Sequence, residues 1–241
     1  MNNFLGNIVS LAYGVTPRAG KLRGGAALMI ITMTSVVAAV PVQAETLRLA
    51  ALGDSLTQGY GLAQEEGLVA QLQAWLRAQG HDVEVLNAGV SGDTTAGGLS
   101  RLDWTLADGP DAMLVALGGN DLLRGIDPAT SRANLDGILA RLRAEEVPAL
   151  LVGMPAPGNY GPEYQAAFAA MYPELAEEYG VALYPDLLQP ITGKHEAGLR
   201  YTDLMQDDHI HPNARGVALI VEGLGPVVAA FLQSVEEERG S

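Results

Sequence analysis

The sequence predicts one α/β domain, a three-layer α/β/α sandwich around a five-stranded parallel sheet. From residue 46 onward, short apolar runs rich in β-formers alternate strictly with segments of helical period, and parallel strands require such crossover helices. The three middle runs are apolar almost without interruption, as strands buried on both faces are. With residues 1–44 set aside as a leader, 197 of the 241 residues remain, enough for one sizeable core and too few to favour two.

The strands are read at Leu47 to Leu52, Val83 to Leu86, Ala112 to Leu117, Ala149 to Val152 and Val181 to Tyr184. After the first strand, Leu68, Leu72, Trp75 and Leu76 form a helical stripe stopped by Gly80. Leu99, Leu102 and Leu106 form a second, ended by Asp108-Gly109-Pro110. Leu135, Ile138, Leu139 and Leu142 share a third face, which Asp127 opens as N-cap with Pro128 in the first turn. Tyr164, Phe168, Met171, Leu175 and Tyr179 mark a fourth helix, perturbed by Pro173. Val217, Ile220, Val221 and Leu224 mark the last, expected to break near Gly225-Pro226 because proline removes a helical donor. In such sheets ligands bind beyond the carboxyl ends of the strands.

The leader has Arg18, Lys21 and Arg23, no acidic residue before Glu45, an apolar run from Ala26 to Val40, and Val42-Gln43-Ala44 before the expected cut. That is the layout of a secretory signal peptide, and the run is shorter than the roughly 20 residues a spanning helix requires. The expected product starts at Glu45 and works in the periplasm or outside the cell, with no stable membrane insertion. The leader carries three of the 14 Lys and Arg residues and none of the 28 Asp and Glu, so the remaining chain has a net charge of −17. Such a surface repels phosphate backbones, which excludes nucleic acid as a partner. With no cysteine, the exported chain folds without disulfides, and neither a lipidated cysteine nor a thiolate nucleophile is available.

Ser55 stands directly after the first strand, in Gly53-Asp54-Ser55-Leu56, at the sheet's carboxyl edge and near a helix start where N–H groups stabilise negative charge. An ordinary capping serine would look the same. The second and third strands end in Ser91-Gly92-Asp93-Thr94 and Gly118-Gly119-Asn120-Asp121. Glycine admits close backbone approach and an asparagine amide donates without charge. Near the other end lies Asp207-Asp208-His209-Ile210-His211-Pro212-Asn213. Asp208, three residues before His211, is spaced to accept from the imidazole and leave the other ring nitrogen free to deprotonate a hydroxyl. Asp207, Asp208, His209 and His211 are also all metal-ligand types.

These four blocks, in this order, resemble the SGNH (GDSL) hydrolase superfamily from about Leu47 to Phe231, and within it the exported bacterial esterases of the thioesterase I, lysophospholipase and arylesterase branch. Ser91 to Thr95, Gly118 to Gly125, Asn159-Tyr160-Gly161 and Met205 to Asp208 support that branch. The resemblance implies a flavodoxin-like sheet of order 2-1-3-4-5, Ser55 as nucleophile, Asp208 and His211 completing a triad, an oxyanion hole from Ser55, Gly92 and Asn120, and no metal or other cofactor. His209 stands where the branch's pattern has glycine, which bears on the rim of the site. The Gly-x-Ser-x-Gly elbow is absent, which argues against the α/β-hydrolase family proper.

The expected activity is therefore serine-dependent hydrolysis of a small-molecule acyl ester or thioester, with no protein partner inferred. Leu122, Leu123, Ile126 and Met154 suggest an acyl groove, although packing beneath loops would use the same residues. Aryl ester, lysophospholipid and thioester are not ranked by fold and motif. A carbohydrate acetylesterase and a catalytically silent lipid-binding protein are the alternatives on the same scaffold.

Overall fold

The computed structural model describes residues 46–156, 158–192 and 199–240; the leader expected at residues 1–44 lies outside them. Strands β1 (Leu47–Gly53), β2 (Val83–Gly89), β3 (Ala112–Ala116), β4 (Ala149–Val152) and β5 (Ala182–Tyr184) form one parallel sheet in the order β2-β1-β3-β4-β5. Two apolar cores flank it. Along β3, Ala112 and Leu114 enter one core while Met113 and Val115 enter the other, the two-residue alternation of a strand covered on both faces.

Helices α1 (Ser55–Gln58), α2 (Leu68–Ala78), α3 (Thr95–Ser100), α4 (Leu102–Ala107), α5 (Gly119–Arg124), α6 (Pro128–Ala144), α7 (Pro162–Tyr179), α8 (Gln189–Thr192) and α9 (Ala214–Arg239) connect and cover the strands. Leu68, Leu72 and Leu76 of α2 share a core with Val217, Ile220 and Leu224 of α9. Leu135, Ile138 and Leu142 of α6 share the other with Phe168, Met171 and Leu175 of α7. The helix expected from the Asp127-Pro128 signal begins there, with the Asp127 carboxylate accepting from Ala129 N–H.

The ends of β1, β3 and β5 shift by one residue from the sequence reading, and three differences are larger. β2 continues to Gly89 because Asn87, Ala88 and Gly89 pair with Ala51, Leu52 and Gly53; an exposed Asn87 followed by two small residues on this edge strand masked the extension. The Leu99 to Leu106 stripe is two helices, parted at Arg101, whose guanidinium turns inward to Asp93 and the Gly53 carbonyl. The last helix does not break at Gly225-Pro226. It runs unbroken from Ala214 to Arg239. An interior proline costs about 3 kcal/mol; burying Val228, Phe231, Leu232 and Val235 beyond it contributes about 1.5–3 kcal/mol per side chain and outweighs that cost. Gly225 permits the close crossing, since a Cβ there would lie 2.7 Å from Trp75 Cε3. α9 has the length and composition of a spanning helix, but half of that segment is buried inside the fold, as in a core helix.

Candidate active site

Ser55 is carried to the sheet's carboxyl edge by β1, and α1 begins on it. The cap is Asp54 rather than Ser55: Asp54 Oδ1 accepts from Leu56 N–H at 3.0 Å, which leaves the Ser55 hydroxyl free of capping. The turn needs glycine before it, because a Cβ on Gly53 would lie 2.0 Å from Thr57 Oγ1.

The partner comes from the opposite end of the chain. Asn213 caps α9 by accepting from Arg215 and Gly216 N–H, so His211 sits just ahead of the helix start. Met205 and Pro212 form an antiparallel bridge, and Gln206 N–H donates to the His211 carbonyl at 2.8 Å, closing residues 205–212 into a tight loop. Gln206 Nε2 also donates to the Tyr60 and Pro212 carbonyls, tying this loop to the segment after α1. The Tyr60 ring packs 4.7 Å from the His211 ring at a 39° tilt, limiting where the imidazole can swing.

His211 Nε2 lies 2.8 Å from Ser55 Oγ, and His211 Nδ1 lies 2.6 Å from Asp208 Oδ2. The other Asp208 oxygen accepts from Ile210 and His211 N–H at 2.9 and 3.0 Å. Those bonds, led by the His211 N–H and followed by the imidazole, hold the Asp208 carboxyl down at about 2, so it is ionised throughout the neutral range. An ionised Asp208 fixes the proton on Nδ1 and leaves Nε2 as the acceptor facing Ser55.

Asn120 lies in the first turn of α5, just after β3, and lines the same cleft as Ser55 and His211. Its position is set from below: the fully buried Asp121 accepts from Thr95 N–H, Thr95 Oγ1 and Ser131 Oγ, linking α3, α5 and α6. Asn120 Nδ2 donates to Asp54 Oδ2 at 3.3 Å, and the second hydrogen of that NH2 remains for the cleft. Asp54 is only 3 % exposed, and burial pushes its carboxyl up to about 6 against the opposing hydrogen bonds from Leu56 and Asn120. Gly92 is exposed on the loop after β2 with φ +85°, and its carbonyl accepts from Arg124 at 2.7 Å. It is not among the residues lining the cleft. Among the described residues, neither Gly92 N–H nor Ser55 N–H has a protein acceptor.

The cleft has a volume of about 460 Å³. Leu122, Leu123 and Met154 line it as the groove reading expected; Ile126 does not, its carbonyl instead accepting from Tyr164. Of the two histidines, only His211 meets a serine and a carboxylate. His209 lines the cleft at φ +57°. Asp207, Asp208, His209 and His211 do not converge as a ligand set: among the described residues no group of three or more such side chains could hold a metal ion. Sequence reasoning missed the roles of Asp54, Tyr60 and Gln206. Gln206 fell inside a motif run, but nothing in the sequence signals its long-range bond to Tyr60.

A serine–histidine–aspartate chain beyond the carboxyl ends of a doubly wound parallel sheet defines the class. Residues 51–219 match the GDSL-like lipase/acylhydrolase family, and the chain belongs to it. Among its relatives is Esterase TesA of Pseudomonas aeruginosa, 38 % identical over 216 residues that span 89 % of this chain and all of the relative. Thioesterase 1/protease 1/lysophospholipase L1 of Escherichia coli K12 is 38 % identical across 77 % of this chain and 82 % of its own. The crystal structure of AlinE4, an SGNH-hydrolase family esterase, superposes with a TM-score of 0.64 at 44 % identity, covering 79 % of this chain and 98 % of its own.

Proposed function

We propose that this chain is an exported serine ester hydrolase that cleaves acyl esters or thioesters through an acyl-enzyme on Ser55. The observation that carries the reading is the continuous Ser55–His211–Asp208 chain, with contacts of 2.8 and 2.6 Å. Ser55 Oγ attacks the acyl carbonyl as its proton passes to His211 Nε2. The carbonyl oxygen becomes an oxyanion that accepts from the Asn120 amide and from Ser55 and Gly92 N–H. His211 then returns the proton to the leaving atom as the ester or thioester bond breaks. Water attacks the acyl-enzyme, gives its proton to His211, and releases the acid with Ser55 restored. Asp208 stays ionised throughout and stabilises the transient imidazolium. The domain acts after removal of residues 1–44, in the periplasm or outside the cell.

One experiment addresses nucleophile and leader together. Protein recovered from its host cell and treated with a phosphonofluoridate should give a mass spectrum with one adduct, on Ser55, and with Glu45 as the first residue. Ser55→Ala should take up no label. Label on another residue, or stoichiometric label on Ser55→Ala, overturns the nucleophile; a membrane-retained form keeping residues 1–44 overturns the export reading.

A further inference from the structure

His209 adopts φ +57°, a left-handed conformation shared by one other non-glycine residue, Glu146, among those described. The conformation is imposed by the loop. His209 N–H closes a turn onto the Gln206 carbonyl at 3.0 Å, and the chain must then reverse sharply so that Ile210 and His211 N–H both reach Asp208 Oδ1. Glycine meets that requirement without a Cβ penalty, as in hairpin loops that end on a left-handed residue. A histidine held there at the cost of a Cβ in the left-handed region lines the cleft, as Ile210 and Tyr201 do. Strained residues at clefts are a recognised pointer to ligand contact.

The chemistry says which part of the substrate lies on that wall. His211 Nε2 delivers the proton to the departing atom, so the departing group lies against the loop that carries His211. That wall offers rings and an apolar side chain. No Lys or Arg lines the cleft among the described residues, and the chain is acidic overall, so a polyanionic departing group meets no countercharge. A flat, uncharged ring finds complementary faces.

Resting on ester hydrolysis at Ser55, we infer that His209 is a substrate-contacting specificity residue that binds uncharged aromatic leaving groups, and that the loop tolerates its left-handed backbone for this contact. The test compares phenyl and ethyl esters of one short acid in wild type, His209→Gly and His209→Asn. Asparagine tolerates the left-handed region and supplies no ring, so it carries the test if the glycine variant folds poorly. The ratio of kcat/KM for phenyl over ethyl ester should fall about 2- to 10-fold in the variants, the range of one lost aromatic contact, mainly through KM. The melting temperature of His209→Gly should stay level or rise. Stoichiometric phosphonofluoridate labelling certifies that the variants retain a working site. An unchanged phenyl-to-ethyl ratio in labelled variants overturns the inference and leaves His209 a turn residue. A wild type that neither labels nor hydrolyses either ester sinks the ester-hydrolase reading itself, a result distinct from that one.

Discussion

The two halves of the candidate site are built in opposite ways. Asp54 and Ser55 follow an interior strand of the sheet, and Asp54 is 3 % exposed, its carboxyl raised to about 6. Asp208 and His211 stand on a surface loop, the Asp208 side chain 36 % exposed and its carboxyl held at about 2. In the buried half, desolvation dominates and ionisation works against folding. In the exposed half, three hydrogen bonds dominate and ionisation works for it. The Asp208–His211 pair is thus oriented by backbone N–H groups aimed at one carboxylate rather than by depth, whereas the turn that carries Ser55 is fixed by burial.

The loop half is where a single substitution costs most. Asp208→Asn should lower kcat by roughly 10⁴-fold, since the amide cannot hold the Nδ1 proton in place. Asp207→Asn should change kcat by far less, because Asp207 makes no bond to either histidine among the described residues. Steady-state kinetics on one ester suffice, and equal losses at both positions contradict the assignment of the acid.

A smaller effect is expected on the buried side. Asn120→Ala should reduce kcat by about 10² to 10³, or roughly 2.7 to 4 kcal/mol, with KM little altered. Loss confined to KM makes Asn120 a substrate-positioning residue and leaves the oxyanion to the Ser55 and Gly92 N–H groups.

The last effect is thermodynamic, leaves turnover aside and distinguishes the two carboxylates by sign. Asp54 is raised from 3.8 to about 6, so the folded state binds its proton more tightly than the unfolded chain does. Its contribution is intact below about pH 4, is lost as pH rises through 6, and amounts to about 3 kcal/mol at 1.36 kcal/mol per pKa unit. Asp208 is depressed, so its contribution is present above about pH 4 and lost as pH falls through 2. Urea unfolding should therefore show the stability of Asp54→Asn relative to wild type increasing by up to about 3 kcal/mol from pH 4 to pH 7. A flat difference across that window means that the Asp54 carboxyl is not desolvated as its burial implies.

Much of this was readable before any coordinates. Ser55 and Asn120 follow the first and third strands, and strict βα alternation fixes which edge of the sheet those ends share; Asp208 and His211 lie in one short run just ahead of the last helix. What stayed hidden depends on non-local burial. Nothing local reveals that Asp54 is shielded, that Arg101 turns inward to split a helix, or that α9 passes Pro226 unbroken because its far half is buried. The groove was legible in part: Leu122, Leu123 and Met154 line the cleft while Ile126 does not, because Ile126 lies beyond the Gly125 cap of α5, where helical periodicity no longer applies.

Ser55 and His211 are separated by 156 positions in the chain yet meet at 2.8 Å. Their encounter requires closing most of the polypeptide into one loop, among the slowest contacts a domain of this size can make. During synthesis the first strand and its serine emerge long before the last helix and the His211 at its head. Until that moment the hydroxyl is as unreactive as any other serine. Return of hydrolysis should therefore trail the return of secondary structure, and the turnover assay doubles as a clock for the final docking of α9.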